Sequence, residues 1–217
     1  QVNERGVQSY PFFQAVPADG SFRPRVREVK VTLLGDEHQA VTRDIIVDLD
    51  GDSSYPISLP PGFDLDDAYP ANSPIGWSGD GDKVYLFAST EDAKIGRLLE
   101  VDLANGRSRT IIEEHAPGSR VNISLSFGRE PLVHILENEV IWYSERRGYG
   151  HLYLHDLESG ELVRQLTSGD TVVKAVLHVD VKRRSLLVAM SRGGEADPYQ
   201  RSAYRVSLDG AAPFPLT

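Results

Sequence analysis

Three windows of this sequence repeat one design: an apolar strand, a polar turn, a second strand that ends in an acidic turn, and a third strand. The turns between the second and third strands contain Gly106, Gly160 and Gly210, each preceded by Asn, Ser or Asp. A tight hairpin requires a positive φ angle here, which these residues tolerate. The glycines lie 54 and then 50 residues apart, close to the roughly 40 to 50 residues of a propeller blade. The pattern therefore predicts a repetitive all-β fold.

A further strand candidate precedes each window, around residues 75–77, 132–135 and 172–177, and would be the innermost strand of its blade. The alternating segment 26–33 predicts a half-buried strand of an earlier, incomplete copy. We predict part of a β-propeller, with about three complete four-stranded antiparallel blades plus a partial one. Helix is limited to a turn or two, near Leu65, Asp66 and Asp67. The predicted organisation is a single propeller fragment over 1–217, with a partial blade at 24–50, a proline-rich loop or insertion at 51–73, and blades at 74–114, 121–169 and 171–217.

Composition excludes several classes of function. Lys and Arg number 23 against 32 Asp and Glu, a net charge of −9, so phosphate-rich partners would be repelled and we expect no nucleic-acid partner. The chain has no cysteine, which excludes disulfides, thiolate metal sites and cysteine nucleophiles. No apolar run approaches the roughly 18 residues of a membrane-spanning helix. Because Gln1 is not an initiator methionine and no signal-peptide pattern follows, we expect a piece of a longer chain.

Three patterns that suggest chemistry have a simpler structural interpretation. Segment 76–81 approaches the G-x-S-x-G nucleophile elbow but has Asp80 at the second glycine position, so it predicts a turn between strands. His151 and His155 fall on a predicted strand, where about 3.3 Å per residue places them about 13 Å apart, too far for one metal ion. Glu113 and Glu114 follow an apolar strand and predict a solvated turn. We expect neither a metal nor a cofactor.

Three other stretches carry a resemblance to a known family. They are residues 143–156, residues 164–170 with the two valines that follow, and residues 195–199 leading into 204–206. These stretches resemble the propeller domain of dipeptidyl peptidase IV and its bacterial relatives in the prolyl oligopeptidase group. Tyr10, Pro11 and residues 18–24 resemble the middle part of the same domain, so the similarity extends over nearly the whole chain.

The resemblance implies a fragment of a two-domain serine exopeptidase that releases dipeptides from free amino termini. In this family a propeller caps an α/β-hydrolase domain and admits short, extended peptide ends. The Ser/Asp/His triad and the hydrolase domain would lie after Thr217, and the glutamate pair that binds the substrate ammonium group would precede residue 1. The expected partners are therefore the C-terminal hydrolase domain of the same parent chain and a peptide substrate. We expect this fragment alone to be inactive, with a role in substrate gating and domain docking.

Five residues are candidates for the wall of the substrate cavity. Glu145, Arg146 and Arg147 lie in a predicted hairpin turn, where an arginine could bind a peptide carboxylate or carbonyl bidentately. The alternative for this turn is exposed charge with a weak ion pair. Phe127 and Arg129 fall near a segment that contacts substrate in some relatives, although the order of residues differs.

Two other functional classes fit the strand pattern. One is a non-enzymatic propeller that serves as a protein-interaction platform, and the other is a carbohydrate-active propeller, which a missing cluster of inward carboxylates disfavours. Because a cut ring leaves sheet edges and blade faces bare, we also expect a tendency to self-associate.

Overall fold

A computed structural model describes the chain except residues 1, 18, 21, 34, 39, 52, 66–73, 125–130, 192–196, 198 and 199, with the backbone alone for Val2 and Val41. The described residues form strands, turns and bends without a helix. In this part of the chain there is accordingly no helix long and apolar enough to cross a membrane. The chain divides into a first unit, Gln1–Ile57, and a second unit, Ser58–Thr217. The helical turn expected near Asp66 and Asp67 lies outside the described residues.

The first unit consists of strands that pair two by two and antiparallel: β1 with β4, β2 with β3 and β5 with β6. Its strands are β1 (Val2–Asn3), β2 (Ser9–Gln14), β3 (Arg25–Lys30), β4 (Val41–Thr42), β5 (Ile45–Val47) and β6 (Ser54–Pro56). The alternating segment does form β3, but the prediction that it is half-buried is wrong. Val26 is 66% exposed, because β3 pairs with β2 and the described residues supply no second layer over this face.

The described residues of the second unit form three antiparallel sheets, which we call the first, second and third sheet. The first has the order β11-β10-β9-β7, the second β12-β13-β14-β15 and the third β16-β17-β18-β19. In the first sheet, β8 also pairs with β9, next to the part of β9 that β7 covers. The strands are β7 (Asp64–Leu65), β8 (Gly76–Trp77), β9 (Lys83–Ser89), β10 (Ile95–Asp102), β11 (Ser108–His115), β12 (His134–Ile135), β13 (Glu139–Ser144), β14 (His151–Asp156), β15 (Leu162–Gln165), β16 (Val173–Asp180), β17 (Ser185–Ser191), β18 (Arg201–Ser207) and β19 (Phe214–Pro215).

The glycine turns form as the repeat predicts. Gly106, Gly160 and Gly210 have φ angles of 71°, 74° and 97°, the left-handed region that costs glycine little. In the β14–β15 turn, Asp156 Oδ1 accepts a hydrogen bond of 2.7 Å from the backbone N–H of Ser159, which fixes the loop from its first residue. The first two turns close with the same bond, from the glycine N–H to the aspartate carbonyl four residues earlier, at 2.8 and 2.9 Å. The third turn shares their positive-φ glycine.

Side chains of the second sheet alternate between two cores. Val140 and Trp142 of β13 pack into a cluster with Tyr85, Phe87, Leu98 and Ile112 of the first sheet. Ile141 and Tyr143, the intervening residues, pack with Leu186, Val188 and Met190 of the third sheet. This is the period-two pattern of a strand that is buried on both faces. The three sheets therefore stack in chain order, and the chain is an all-β, antiparallel partial propeller, as predicted; the domain boundaries stay predictions.

Segment 76–81 joins two strands and does not start a helix. After β8, Ser78 Oγ donates a 2.5 Å hydrogen bond to Asp80 Oδ1 and accepts one of 2.9 Å from the backbone N–H of Lys83. The chain then enters β9. The serine hydroxyl is thus used to close a turn, in agreement with the sequence interpretation.

Candidate functional site

The candidate turn lies at a defined end of the stacked sheets. Because the strands are antiparallel, the β9–β10, β13–β14 and β17–β18 connections leave each sheet at one end, which we call the upper end. The β10–β11 and β14–β15 turns lie at the opposite, lower end. Residues 145–150 therefore share the upper end with the connection from β11 to β12. Phe127 and Arg129 belong to that connection by sequence, but they lie outside the described residues.

Arg146 is anchored inward from this turn. Its Nη2 donates to Oε2 of Glu114 at 3.0 Å, and its Nε donates to Ser144 Oγ at 2.8 Å. The guanidinium carbon also lies 4.4 Å from the centre of the Tyr153 ring, which adds a cation–π contact. The side chain is 31% exposed. Arg146 therefore connects the turn to the body of the protein, and its Nε and Nη2 are engaged within the chain.

Glu114 is the centre of this buried network. Besides Arg146, its carboxylate accepts hydrogen bonds from Trp142 Nε1 at 2.7 Å and from Ser144 Oγ at 2.6 Å. Glu114 itself is 8% exposed and belongs to β11 of the first sheet, whereas its three donors come from the second sheet and its turn. The prediction that Glu113 and Glu114 form a solvated turn is therefore wrong. One signal was present, since Glu114 shares a strand face with the buried Ile112.

Glu145 is held on both sides by neutral donors. Asn122 Nδ2 donates to Oε2 at 3.0 Å, and Tyr143 OH donates to Oε1 at 3.2 Å. Asn122 lies in the connection that follows β11, so these bonds tie the turn to the neighbouring connection. These donors fix the direction of the Glu145 carboxylate without adding a positive charge to it.

Arg147 differs from its two neighbours in the turn. The residue is exposed, and within the described chain its side chain takes part in no hydrogen bond or ion pair. Gly148 follows with a φ angle of 89° and donates its N–H to Glu145 O at 2.9 Å, which closes the turn. The exposed Tyr149 comes next. The turn is thus fixed at Glu145, Arg146 and Gly148, while Arg147 is exposed.

Two histidines lie on β14, His151 next to the candidate turn and His155 towards the lower end, and the strand assignment is as the sequence predicts. His151 Nε2 contacts Gly169 O and its Nδ1 contacts Thr167 Oγ1, both at 3.1 Å. His155 Nδ1 contacts Gly160 O at 2.9 Å. Burial lowers the pKa of both imidazoles, and nearby arginines act in the same direction. Both rings are therefore neutral at physiological pH.

The lower end carries a separate polar cluster. Glu100 receives Arg109 bidentately, at 2.8 and 2.9 Å, and the Lys83 ammonium at 3.2 Å. Burial raises the pKa of the Glu100 carboxyl, but the hydrogen bonds from Arg109 and Lys83 outweigh it and bring the pKa below its ordinary value. Arg109 also donates to the carbonyl of Glu158 in the second sheet at 2.6 Å. A cleft of about 830 Å³ opens here, at the end opposite to the candidate turn.

Arg184 makes the corresponding connection between the second and third sheets. It donates to both carboxylate oxygens of Glu139, at 2.8 and 3.2 Å, and to Asp209 at 2.8 Å. These bonds raise the pKa of its guanidinium. In the described ranges, His, Asp and Glu nowhere gather in a group of three or more that could hold a metal ion. The lower-end charges therefore act between sheets of the same chain.

Comparison with known proteins places the chain in a family. The model of the dipeptidyl peptidase IV N-terminal region matches residues 1–217. A crystal structure of a putative dipeptidyl aminopeptidase IV from Bacteroides ovatus is 18% identical with a TM-score of 0.64, and the match covers 94% of this chain and 29% of that one. Dipeptidyl peptidase 4 from Porphyromonas gingivalis is 15% identical with a TM-score of 0.72, over 97% of this chain and 27% of that one. The chain thus spans less than a third of either protein, and at these identities the two structures support the fold alone. On the family match over its whole length, the chain belongs to the dipeptidyl peptidase IV N-terminal region family.

Proposed function

We propose that this chain is part of the propeller that caps a dipeptidyl-peptidase-type serine hydrolase, where it restricts access to the substrate cavity and docks the hydrolase domain. The proposal is supported by the family match and by the names of the two similar structures, both dipeptidyl peptidases. Exclusion of large substrates by a rigid wall gives specificity without any reacting group in the wall. The chain therefore contributes shape and orientation, and the chemistry belongs to the partner domain.

Within this role, we assign substrate contact to Arg147. The assignment is carried by the difference between the three charged side chains of the turn. Arg146 and Glu145 are both hydrogen-bonded to other residues of the chain. Arg147 is exposed. The fixed backbone of the turn holds the base of this side chain in place, so that only the side chain itself is ordered on binding. Its five donors fit a peptide carbonyl or carboxylate.

Hydrolysis of a Gly-Pro chromogenic dipeptide tests the proposed division between the two domains. We expect no turnover by the purified 217-residue chain and clear turnover by the full-length protein that contains it. Turnover by the chain alone that survives a second, unrelated purification would contradict the proposal. An inactive full-length protein with an intact fold would do the same.

A protein-interaction platform is the second candidate, and the third sheet favours it. Leu177, Val181, Phe214 and Leu216 of this sheet and its flanks are 42–63% exposed. They lie on or beside β16 and β19, the two edge strands of this sheet, and apolar side chains on edge strands favour pairing with another chain, which also supports the expected self-association. Sedimentation of the chain between about 5 and 200 µM, compared with a Phe214→Ser variant, measures this tendency. A monomer at all concentrations would remove the support for this alternative.

A further inference from the structure

The seam between the first and second sheets contains two buried polar atoms that the network around Glu114 leaves unused. Tyr153 is 1% exposed and His155 is 4% exposed. Neither Tyr153 OH nor His155 Nε2 has a hydrogen-bond partner within the described chain. Buried polar groups are nearly always paired, by protein or by ordered water, because an unpaired one loses its hydration without compensation. Two such atoms on neighbouring residues of one strand face therefore require an explanation.

The hydrogen bonding of His155 determines which kind of partner its Nε2 needs. The Nδ1 atom contacts the carbonyl oxygen of Gly160 at 2.9 Å, and a carbonyl oxygen only accepts, so Nδ1 carries the proton. Burial keeps the ring neutral by lowering its pKa. A neutral imidazole has a single proton on nitrogen, so Nε2 is an acceptor that needs a donor.

Tyr153 supplies the complementary group. Its hydroxyl can donate one hydrogen bond and accept another. Tyr153 and His155 lie two residues apart on β14, so their side chains project from the same face, with about 6.6 Å between their backbone positions. A single water molecule between two polar atoms spans up to about 5.6 Å at ordinary hydrogen-bond lengths of about 2.8 Å. Because neighbouring side chains on one strand face can lean towards each other, one molecule can contact both atoms.

The surroundings of the two atoms are charged. The Tyr153 ring packs under the Arg146 guanidinium at 4.4 Å, and Arg146 binds Glu114. The charges of Arg146 and Glu114 act on both Tyr153 and His155. A cation between these groups would be repelled by Arg146, and an anion would face the Glu114 carboxylate. A neutral molecule that both donates and accepts is favoured.

We propose that this seam is a binding site for one structural water molecule, which donates to His155 Nε2 and accepts from Tyr153 OH. The water completes the polar network that joins the first and second sheets. Such a molecule exchanges slowly with solvent and is held by at least two polar partners, as buried waters usually are. The site is independent of the proposed role in the peptidase, because it concerns the sheet interface only.

The sign of one mutational effect tests the site. If the Tyr153 hydroxyl is bound to water, Tyr153→Phe removes a working donor and lowers the melting temperature of the full chain, by about 2 to 4 °C for a protein of this size. If the hydroxyl is truly unpaired, its removal raises the melting temperature or leaves it unchanged. Tyr143→Phe is the matched control, since Tyr143 is fully buried and its hydroxyl donates to Glu145 at 3.2 Å; it is expected to lower the melting temperature.

A second measurement does not depend on any variant. Crystals of the full chain that diffract beyond about 1.8 Å should show density for one water within about 3.2 Å of both atoms. Density at neither atom, or a melting temperature that rises in Tyr153→Phe while Tyr143→Phe lowers it, would overturn the proposal. Density at only one of the two atoms would overturn the bridge.

Discussion

Trp142 donates its indole N–H to Oε2 of Glu114 at 2.7 Å, across the contact between the second and first sheets. Both residues are buried, Trp142 completely. The indole thereby fills the apolar cluster with its rings and satisfies a carboxylate with its single donor, so packing and polar recognition coincide in one side chain. The orientation of one sheet on the other is determined by this pair as well as by shape.

Replacement of Glu114 should destabilise the chain far more than replacement of its neighbour. Glu114→Gln removes the charge that Arg146 binds. It also replaces one carboxylate oxygen with an NH2 group, which would face the hydrogen-bond donors that now bind that oxygen. We expect the free energy of unfolding to fall by about 1 to 3 kcal/mol. Glu113→Gln is the control, because Glu113 pairs with Arg97 and His115 at the surface, where such pairs contribute about 0 to 1 kcal/mol. Urea unfolding measures both. Equal losses for the two variants would show that the buried network adds nothing.

Two glycines with similar backbone angles should respond differently to alanine. Gly160 and Gly169 have φ angles of 74° and 94°, so alanine at either position incurs about 1 to 2 kcal/mol of backbone strain. At Gly160 the added methyl group would also meet the carbonyl oxygen of Ile111 in the first sheet, whereas at Gly169 it meets open space.

We therefore expect Gly160→Ala to lose about 1 to 3 kcal/mol more than Gly169→Ala in the free energy of unfolding, since overpacking adds to the strain. Chemical denaturation of both variants gives the difference. A Gly160→Ala protein as stable as Gly169→Ala would mean that the two sheets separate without cost.

Stability should fall between pH 7.5 and 5.5. Burial lowers the pKa of His151 and His155 in the folded state below the unfolded value of about 6.5. The unfolded chain therefore binds more protons in this window, and the stabilisation is present above about pH 7 and is lost as pH falls through 6.5. The carboxylates with lowered pKa, such as Glu100, titrate at lower pH. Urea midpoints across the window measure the loss.

His155→Asn is the informative variant for this pH dependence. Asparagine keeps a donor near the position of Nδ1 for the Gly160 carbonyl and cannot be protonated. Its stability should vary less with pH than that of the parent chain. An unchanged pH profile would assign the loss to other groups.

The assignment of Arg147 predicts a defect in binding. In the full-length protein, Arg147→Ala should raise KM for a dipeptidyl substrate by about 10-fold or more, the equivalent of one lost charge-assisted hydrogen bond, and leave kcat near its parent value because the contact is the same in ground and transition states. Arg183→Ala serves as control, since Arg183 is an exposed arginine near the lower end that pairs with Asp180. Steady-state kinetics decide the matter, and a KM that moves equally in both variants would refute the assignment.

Local patterns predicted the fold well. The hairpins depend on alternation and on glycines such as Gly106, which are features of a few consecutive residues, and the strand assignment of His151 and His155 followed from the same periodicity. The family match confirms the resemblance drawn from residues 143–156. These signals are short-range, so one sequence is enough to show them.

The buried network was missed because its partners are distant in sequence. Glu114 meets Trp142, Ser144 and Arg146, which lie 28, 30 and 32 positions away. The local sequence of Ile111, Ile112 and Glu114 is the same whether the end of the strand is exposed to solvent or packs against another sheet. The shared strand face with Ile112 is a partial signal, but only the stacking of the sheets shows that Glu114 is buried. The exposed β3 is the converse case, since its alternation predicted a covering layer.

Propeller blades resemble each other so closely that a duplicated or exchanged blade could be accommodated by backbone shape alone. The Glu114 carboxylate prevents such an exchange at one joint. A different blade placed against β11 without an indole, a hydroxyl and a guanidinium at matching positions would leave a charge buried and unpaired. The joint between the first and second sheets is therefore specific for this pair of sheets, and a blade duplicated into this position would have to supply the same three donors to Glu114.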